Sequence, residues 1–345
     1  MIEMERIFPK QVQIFVSEVC QESCRYCPYT LMSPKERKEL LAKELTIKQW
    51  QRAVEYLSKK MGIRLFAFIG GEPAAKKGIE KLLAFMKRRL PGVEMLFITS
   101  GISLLRNKIL KEKIIKAGVR NFIVSVDGIR KKSRLKPGSS RKSALGLRFL
   151  LELRKEYPKL IFKLGANCIL NKNTLDLIIP TYRYLADQQI YLNLCPEQTL
   201  CFERESKTSL DKKDRPLLKE VTKRLVKIKR QPGNFLINSE DYLRRLPALC
   251  FERPYKCSER LSPTTIHIMS DGEVPFCSWR KGETKGRFDI MEIVNGQKKF
   301  SHWLSAWKED KNGKQCSCSW SFSDRVGDFN KIPLAPHSNI WYHSC

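Results

Sequence analysis

Residues 12–27 read "VQIFVSEVCQESCRYC", and two patterns meet there. The first five, "VQIFV", are a short apolar run with β-branched side chains, which reads as a strand. Directly after it Cys20, Cys24 and Cys27 fall within eight residues, spaced C-x3-C-x2-C. A stable core has no use for that density of thiols. Three thiolates on one loop can wrap one face of a small cluster. Zinc would want a fourth Cys or His nearby, and none stands between Cys27 and Cys168. A [4Fe–4S] cluster with three protein ligands leaves one iron open to a substrate or cofactor, which accounts for the absent fourth cysteine.

Working outward, further strand-like runs stand at 64–69 (RLFAFI), 94–98 (EMLFI), 121–126 (NFIVSV), 160–169 (LIFKLGANCI) and 190–194 (IYLNL). Amphipathic helical patterns fill the gaps. Thr46 with Gln49 three residues on is a capping-box signature, and Ile47, Trp50, Val54 and Leu57 then share a face. Ile79, Leu82, Leu83, Met86 and Leu90 do the same. "SLLRNKILKEKIIKAG" predicts one helix stopping at Gly118, and "SALGLRFLLELRKEY" and "TLDLIIPTYRYLADQQ" predict two more. Strands alternating with helices argue for parallel β/α units with right-handed crossovers. No G-x-G-x-x-G follows any strand, so an open or partial barrel fits better than a doubly wound nucleotide-binding sheet.

Residues 206–231 predict a basic amphipathic helix with Leu217, Leu218, Val221, Leu225 and Ile228 on one face. Beyond residue 250, "TTIHIMSDGEVPFCSW" predicts a hairpin turning at Asp271-Gly272, followed by a helix around Trp303 and Trp307. The expected organisation is a barrel over 1–205, a basic connector over 206–249 and a small α+β module over 250–345.

The chain has 345 residues, 12 of them cysteine, and 65 Lys and Arg against 36 Asp and Glu, a net charge of +29. No apolar run reaches the roughly 18 residues a membrane helix needs, and "MIEMERIFPKQ" lacks a signal peptide's apolar core. A cytoplasmic setting is expected. Under reducing conditions twelve cysteines point to metal or redox chemistry rather than disulfides. The positive charge suits nucleic acid or other anions, or simply a lysine-rich solvated surface.

On C-x3-C-x-aromatic-C, with Tyr26 in the aromatic slot, the chain resembles the radical S-adenosylmethionine (radical SAM) superfamily. "GGEP" at 70–73 follows the second strand, where the family's backbone binds the methionine amino group, so Gly70, Gly71 and Glu72 are expected to contact SAM. "SVDG" at 125–128 ends the fourth strand, where the resemblance implies polar contacts from Ser125 and Asp127 to the ribose and carboxylate. "ILNKN" at 169–173 matches where apolar residues flank the adenine. The resemblance covers residues 12 to about 195 and implies a partial (β/α)6 TIM-type barrel. It also implies that Cys20, Cys24 and Cys27 hold a reduced cluster that cleaves SAM to methionine and a 5′-deoxyadenosyl radical.

A second group reads C-x14-G-x4-C from Cys257 through Gly272 to Cys277, with Cys316 and Cys318 beyond. This resembles the SPASM/twitch domains that hold auxiliary iron–sulfur clusters. The resemblance assigns Cys257, Cys277, Cys316 and Cys318 to one auxiliary [4Fe–4S] cluster, with Cys345 or Cys250 able to replace a ligand of the tight C-x-C. A structural zinc is the alternative there. Cys168, Cys195 and Cys201 follow no pattern, though Cys195 closes the sixth strand.

The expected reaction is hydrogen abstraction from an unactivated carbon of a small sugar- or aminocyclitol-like molecule, by dehydrogenation or epimerisation. A SPASM-type enzyme modifying a peptide or protein side chain is the alternative. The expected electron donor is flavodoxin- or ferredoxin-like. From Arg130 to Lys142, seven of thirteen residues are Lys or Arg and none is acidic, which would suit an anionic substrate. An RNA-binding or RNA-modifying protein is the rival from another class. It would place aromatics among the basic residues, and this stretch has none.

Overall fold

The computed structural model describes residues 11–309, apart from 23, 25–26, 28, 30–31, 130–138, 198–207, 252–264 and 277–286. In chain order, β1 (Gln11–Ser17) leads to α1 (Pro34–Lys43), α2 (Ile47–Met61) and β2 (Leu65–Gly70). Then come α3 (Ile79–Arg89), β3 (Glu94–Thr99), α4 (Ile102–Arg106), α5 (Lys108–Lys116) and β4 (Asn121–Ser125). α6 (Ser139–Glu156), β5 (Lys163–Leu170), α7 (Ile178–Asp187) and β6 (Tyr191–Pro196) continue the alternation. α8 (Arg215–Lys229), α9 (Glu240–Phe251), β7 (Thr265–Ile268), α10 (Ile290–Val294) and α11 (Phe300–Glu309) complete it. Seven strands form one sheet in the order β6-β5-β4-β3-β2-β1-β7, the half-barrel of an α/β fold.

β1 is buried along its whole length, as expected for a strand covered on both faces. Its side chains still alternate. Val12, Ile14 and Val16 share one face with Phe66 and Phe68 of β2, while Gln11, Gln13, Phe15 and Ser17 share the other. Apolar helix stripes need the first face, so the polar residues look into the barrel.

The seventh strand departs from the six expected. β7 pairs in parallel with β1, Gln11 to Ile14 opposite Thr265 to Ile268, and so joins the sheet as a seventh strand. The tight turn at Asp271-Gly272 is present, closed by Gly272 N–H donating to Met269 O at 3.0 Å. After it Glu273 O accepts from Met269 N–H at 2.9 Å, and Glu273 also bridges to Asp289; residues 277–279 of the expected second arm lie outside the described residues. Four apolar-alternating residues do not encode a pairing direction, and the open edge of β1 supplies the partner.

By the density of internal contacts the described residues fall into two units, one of 11–99, 103–121 and 265–309, the other of 100–102 and 122–251. In the first, Thr46 caps α2 through the expected box: its side chain accepts from Gln49 N–H while the Gln49 side chain reaches back. Trp50, Ala53, Val54 and Leu57 are buried, and α3 and α10 pack against α2. The helix expected to run to Gly118 is split in two. Asn107 accepts from Leu110 N–H at 3.0 Å and starts α5 as a fresh N-cap.

In the second unit Phe122, Phe149 and Phe162 form an aromatic core, with Phe122 5.6 Å from Phe149 and 6.2 Å from Phe162 between ring centres. The basic helix begins at Arg215, later than expected, and packs on α9. It buries Leu218, Val221 and Leu225, but Leu217 is 40% exposed and lies off the expected stripe. Among the described residues no helix is long and apolar enough to cross a membrane.

Candidate active site

The cysteine loop leaves β1 at Ser17, and the segment after β2 is strapped to it. Gly71 N–H donates to Ser17 O at 2.8 Å, and Glu72 N–H donates to Val19 O at 3.1 Å. The approach explains both glycines. A Cβ on Gly70 would sit 2.0 Å from Ser17 O, with φ at +135°, and one on Gly71 would sit 2.4 Å from Val19 O. Gly70 and Gly71 thus fix the backbone that enters the loop at Cys20.

Glu72 is buried at 1% exposure, and its Oε1 accepts from Thr99 Oγ1 at 2.6 Å and from Ala74 N–H at 3.2 Å. The carboxylate therefore caps a 3-10 turn at Pro73–Ala75 and ties it to the end of β3. Thr99 carried no mark in the sequence, and it is the side chain that orients Glu72. Glu18, two residues before Cys20, is likewise buried and accepts from Ser270 Oγ at 2.7 Å. Desolvation pushes the Tyr29 phenol well above its ordinary pKa, and the neighbouring Glu18 and Cys27 charges add to the shift. Glu18, Tyr29 and Ser270 are contributors that sequence reasoning missed; an acid in "SEVC" was the available signal.

Among the three thiols, Cys20 is buried and Cys24 and Cys27 are half-buried. Burial pushes the Cys20 thiol up to about 11; the Glu22 N–H to Sγ contact at 3.4 Å opposes this, while Glu72, Cys24 and Glu22 charges reinforce it. Such a thiol is a poor free nucleophile. It is a suitable ligand, because an iron takes the proton's place and the Glu22 amide supports the sulfur charge. Cys27 N–H donates to Cys24 O at 3.1 Å, closing the C-x2-C segment into a turn. The donor set fits an iron–sulfur cluster. Among the described residues, no three Cys, His, Asp or Glu side chains converge on a point for a single metal ion. Tyr26 lies outside the described residues.

The remaining expected contacts belong to the second unit. Ser125 is exposed at the end of β4. Asp127 Oδ1 accepts from Ile169 N–H at 3.2 Å, and its own N–H donates to Ser143 Oγ at 2.8 Å. Asp127 thereby joins the end of β4 to β5 and α6. Asn171 is buried and accepts from Asn173 N–H at 2.9 Å, so "ILNKN" ends in a side-chain-closed turn. Cys195 is fully buried among amides. Its Sγ lies 3.4 Å from Asn167 Oδ1 and 3.7 Å from Asn193 Nδ2, and Asn238 Nδ2 donates to Asn193 Oδ1 at 3.0 Å. Burial pushes the Cys168 thiol well up, with Asp127 and Cys195 adding to the effect. Neither thiol has the electropositive, accessible setting of a reactive cysteine.

Cys257, Cys277, Cys316, Cys318, Cys345 and Cys201 lie outside the described residues, as does the basic loop over 130–138. Cys250 stands half-buried on α9. Gly272 has a reason of its own for being glycine: φ is +94°, and a Cβ would stand 2.8 Å from Asp289 Oδ2.

The strand, the three-thiol loop and the glycine strap after β2 converge with an independent match. Residues 14–163 match the radical SAM superfamily model. Over this stretch the chain is similar to that superfamily. A GTP 3′,8-cyclase of Helicobacter pylori (strain HPAG1) is 26% identical over 183 residues, 52% of this chain and 53% of that protein. A GTP 3′,8-cyclase of Rhodococcus opacus (strain B4) is 25% identical over 122 residues, 35% and 32% of the two chains. The chain thus spans about a third to a half of the length of these curated relatives. Among solved structures, native anSMEcpe with bound AdoMet superposes with a TM-score of 0.59 at 17% identity, over 93% of this chain and 94% of that one. Streptococcus suis SuiB bound to S-adenosylmethionine gives 0.58 at 17% identity, over 91% and 76%. At that identity the likeness is one of fold, the partial barrel described above.

Proposed function

We propose that the chain cleaves SAM reductively and uses the resulting radical to take a hydrogen atom from an unactivated carbon of a small sugar- or aminocyclitol-like molecule. The observation that carries the reading is the strap of Gly71 and Glu72 onto Ser17 and Val19, which holds the backbone beside the three-thiol loop. The bound and reduced cluster would supply one electron to the sulfonium, splitting SAM into methionine and a 5′-deoxyadenosyl radical. Cys20, Cys24 and Cys27 would hold that cluster, a ligand set one short of complete. The Gly70–Gly71 backbone lies against Ser17 and Val19 at the entry to the thiol loop, and Thr99 Oγ1 and Ala74 N–H fix the Glu72 carboxylate. A flavodoxin- or ferredoxin-like protein supplies the electron.

Residues 250–345 are assigned an auxiliary cluster on Cys257, Cys277, Cys316 and Cys318, the arrangement the C-x14-G-x4-C spacing supports. A peptide substrate is the second reading, favoured by that same SPASM-like spacing. SuiB has also been solved with its precursor peptide SuiA. The test is product analysis with the auxiliary cysteines changed. Cys257→Ala should abolish conversion of the true substrate while 5′-deoxyadenosine still forms. Loss of 5′-deoxyadenosine in a folded Cys257→Ala protein would overturn the separation of the two sites.

A further inference from the structure

β1 and β7 run side by side with their polar residues in register on the barrel-facing side. Two of the polar positions along this edge close on themselves. Gln11 Nε2 donates to Thr265 Oγ1 directly across the strands. Farther along, Ser270 Oγ donates to Glu18. Between them stand Gln13 and His267, again opposite one another. They are 2% and 7% exposed, and neither Gln13 Nε2 nor His267 Nδ1 has a hydrogen-bond partner among the described residues.

Each such orphan normally costs about 1–3 kcal/mol. Two on neighbouring strands, about 5 Å apart at the backbone, mark a place built for a third polar group. Burial lowers the His267 pKa to about 4, so the imidazole is neutral at neutral pH. A neutral amide N–H and a neutral imidazole nitrogen do not call for an anion or a cation. They suit a group that accepts from one and donates to the other. Gln13 also lies roughly 13 Å back along β1 from Ser17, inside the barrel rather than in the cysteine loop.

We propose that Gln13 and His267 form a substrate subsite that binds a neutral hydroxyl, accepting the Gln13 N–H and donating to His267 Nδ1. The inference rests on the reading of the barrel as the seat of radical chemistry and adds the polar group its substrate carries. A polyol and a peptide serine or threonine both offer that hydroxyl.

The test uses full-length, anaerobically reconstituted protein labelled with 15N-histidine, of which the chain has four. The probes are myo-inositol, N-acetyl-L-serinamide and, as the hydroxyl-free control, N-acetyl-L-alaninamide. His267→Gln identifies the resonance. One hydroxyl probe should shift the His267 Nδ1 signal saturably, the alaninamide should not, and Gln13→Met should weaken that response at least tenfold. Response to inositol points to a small-molecule source, and response to serinamide to a peptide source. No shift with either hydroxyl probe, or an equal shift with alaninamide, overturns the proposal and leaves the pair holding a structural water.

Thermal melting supplies a readout that folding defects cannot mimic. Methionine matches glutamine in length and removes the orphan, so Gln13→Met should keep or raise Tm in the absence of probe. A clear fall would show that Gln13 is already satisfied within the fold, which overturns the subsite. Release of 5′-deoxyadenosine without substrate is followed in parallel in the wild type. Failure of that reaction in the wild type would instead strike at the radical SAM reading.

Discussion

Glu72 shows how much a single residue name leaves out. The sequence marks it through "GGEP", but its carboxylate is buried and held by Thr99, which no motif marks. Thr99→Val keeps the shape and removes the donor, leaving a buried carboxylate short of a partner. Unfolding in urea should show a loss of about 1–3 kcal/mol. Glu72→Ala should in addition weaken SAM binding roughly tenfold or more, the scale of one charge-assisted hydrogen bond. Unchanged SAM affinity in Glu72→Ala would move the methionine end elsewhere. His267 gives a pH signature of a different kind. Its pKa falls from 6.5 to about 4 on folding, so between those values the unfolded chain binds a proton that the folded chain does not. Stability therefore drops as pH falls below 6.5, by about 2 kcal/mol at pH 5 for this group. Urea titrations at pH 7 and pH 5 should show that much extra loss in the wild type relative to His267→Gln. Equal pH sensitivity in the two would place His267 in contact with solvent.

Among the elements, the glycine strap makes the sharpest mutational contrast. Gly62, the C-cap of α2, has φ at +69° and open space around its missing Cβ, whereas Gly71 faces Val19 O at 2.4 Å. Gly62→Ala should cost about 1–2 kcal/mol of backbone strain and spare the cluster. Gly71→Ala has to push backbone aside, at a cost of at least about 1–3 kcal/mol, and should release the cysteine loop with a loss of bound iron. Equal iron contents in the two variants would show that the strap does not hold the loop. The same elements show what was legible. Six strands could be read because each is a short, mostly apolar run between helical patterns, and α2 because Thr46 and Gln49 form a local box. β7 could not be placed, since four residues carry no record of pairing with a strand some 250 positions away. The break at Asn107 is a local cap hidden inside a continuous helical period. In the candidate site the thiols and glycines showed through their spacing, whereas Glu18, Thr99, Ser270, Gln13 and His267 matter only through partners distant in sequence.

On the scale of the whole chain, the net charge is +29. Two cysteine sets imply about eight irons per chain after anaerobic reconstitution, four per cluster. Changing Cys20, Cys24 and Cys27 together to Ala should leave about four, read by iron and sulfide analysis. The most direct measurement of the central claim is the yield of 5′-deoxyadenosine when reconstituted protein is mixed with SAM and dithionite, without substrate. Slow, steady release is expected from the wild type and none from the Cys20, Cys24, Cys27 triple alanine variant. Release that is absent from a wild type carrying its full iron, or that persists in the triple variant, would contradict that claim.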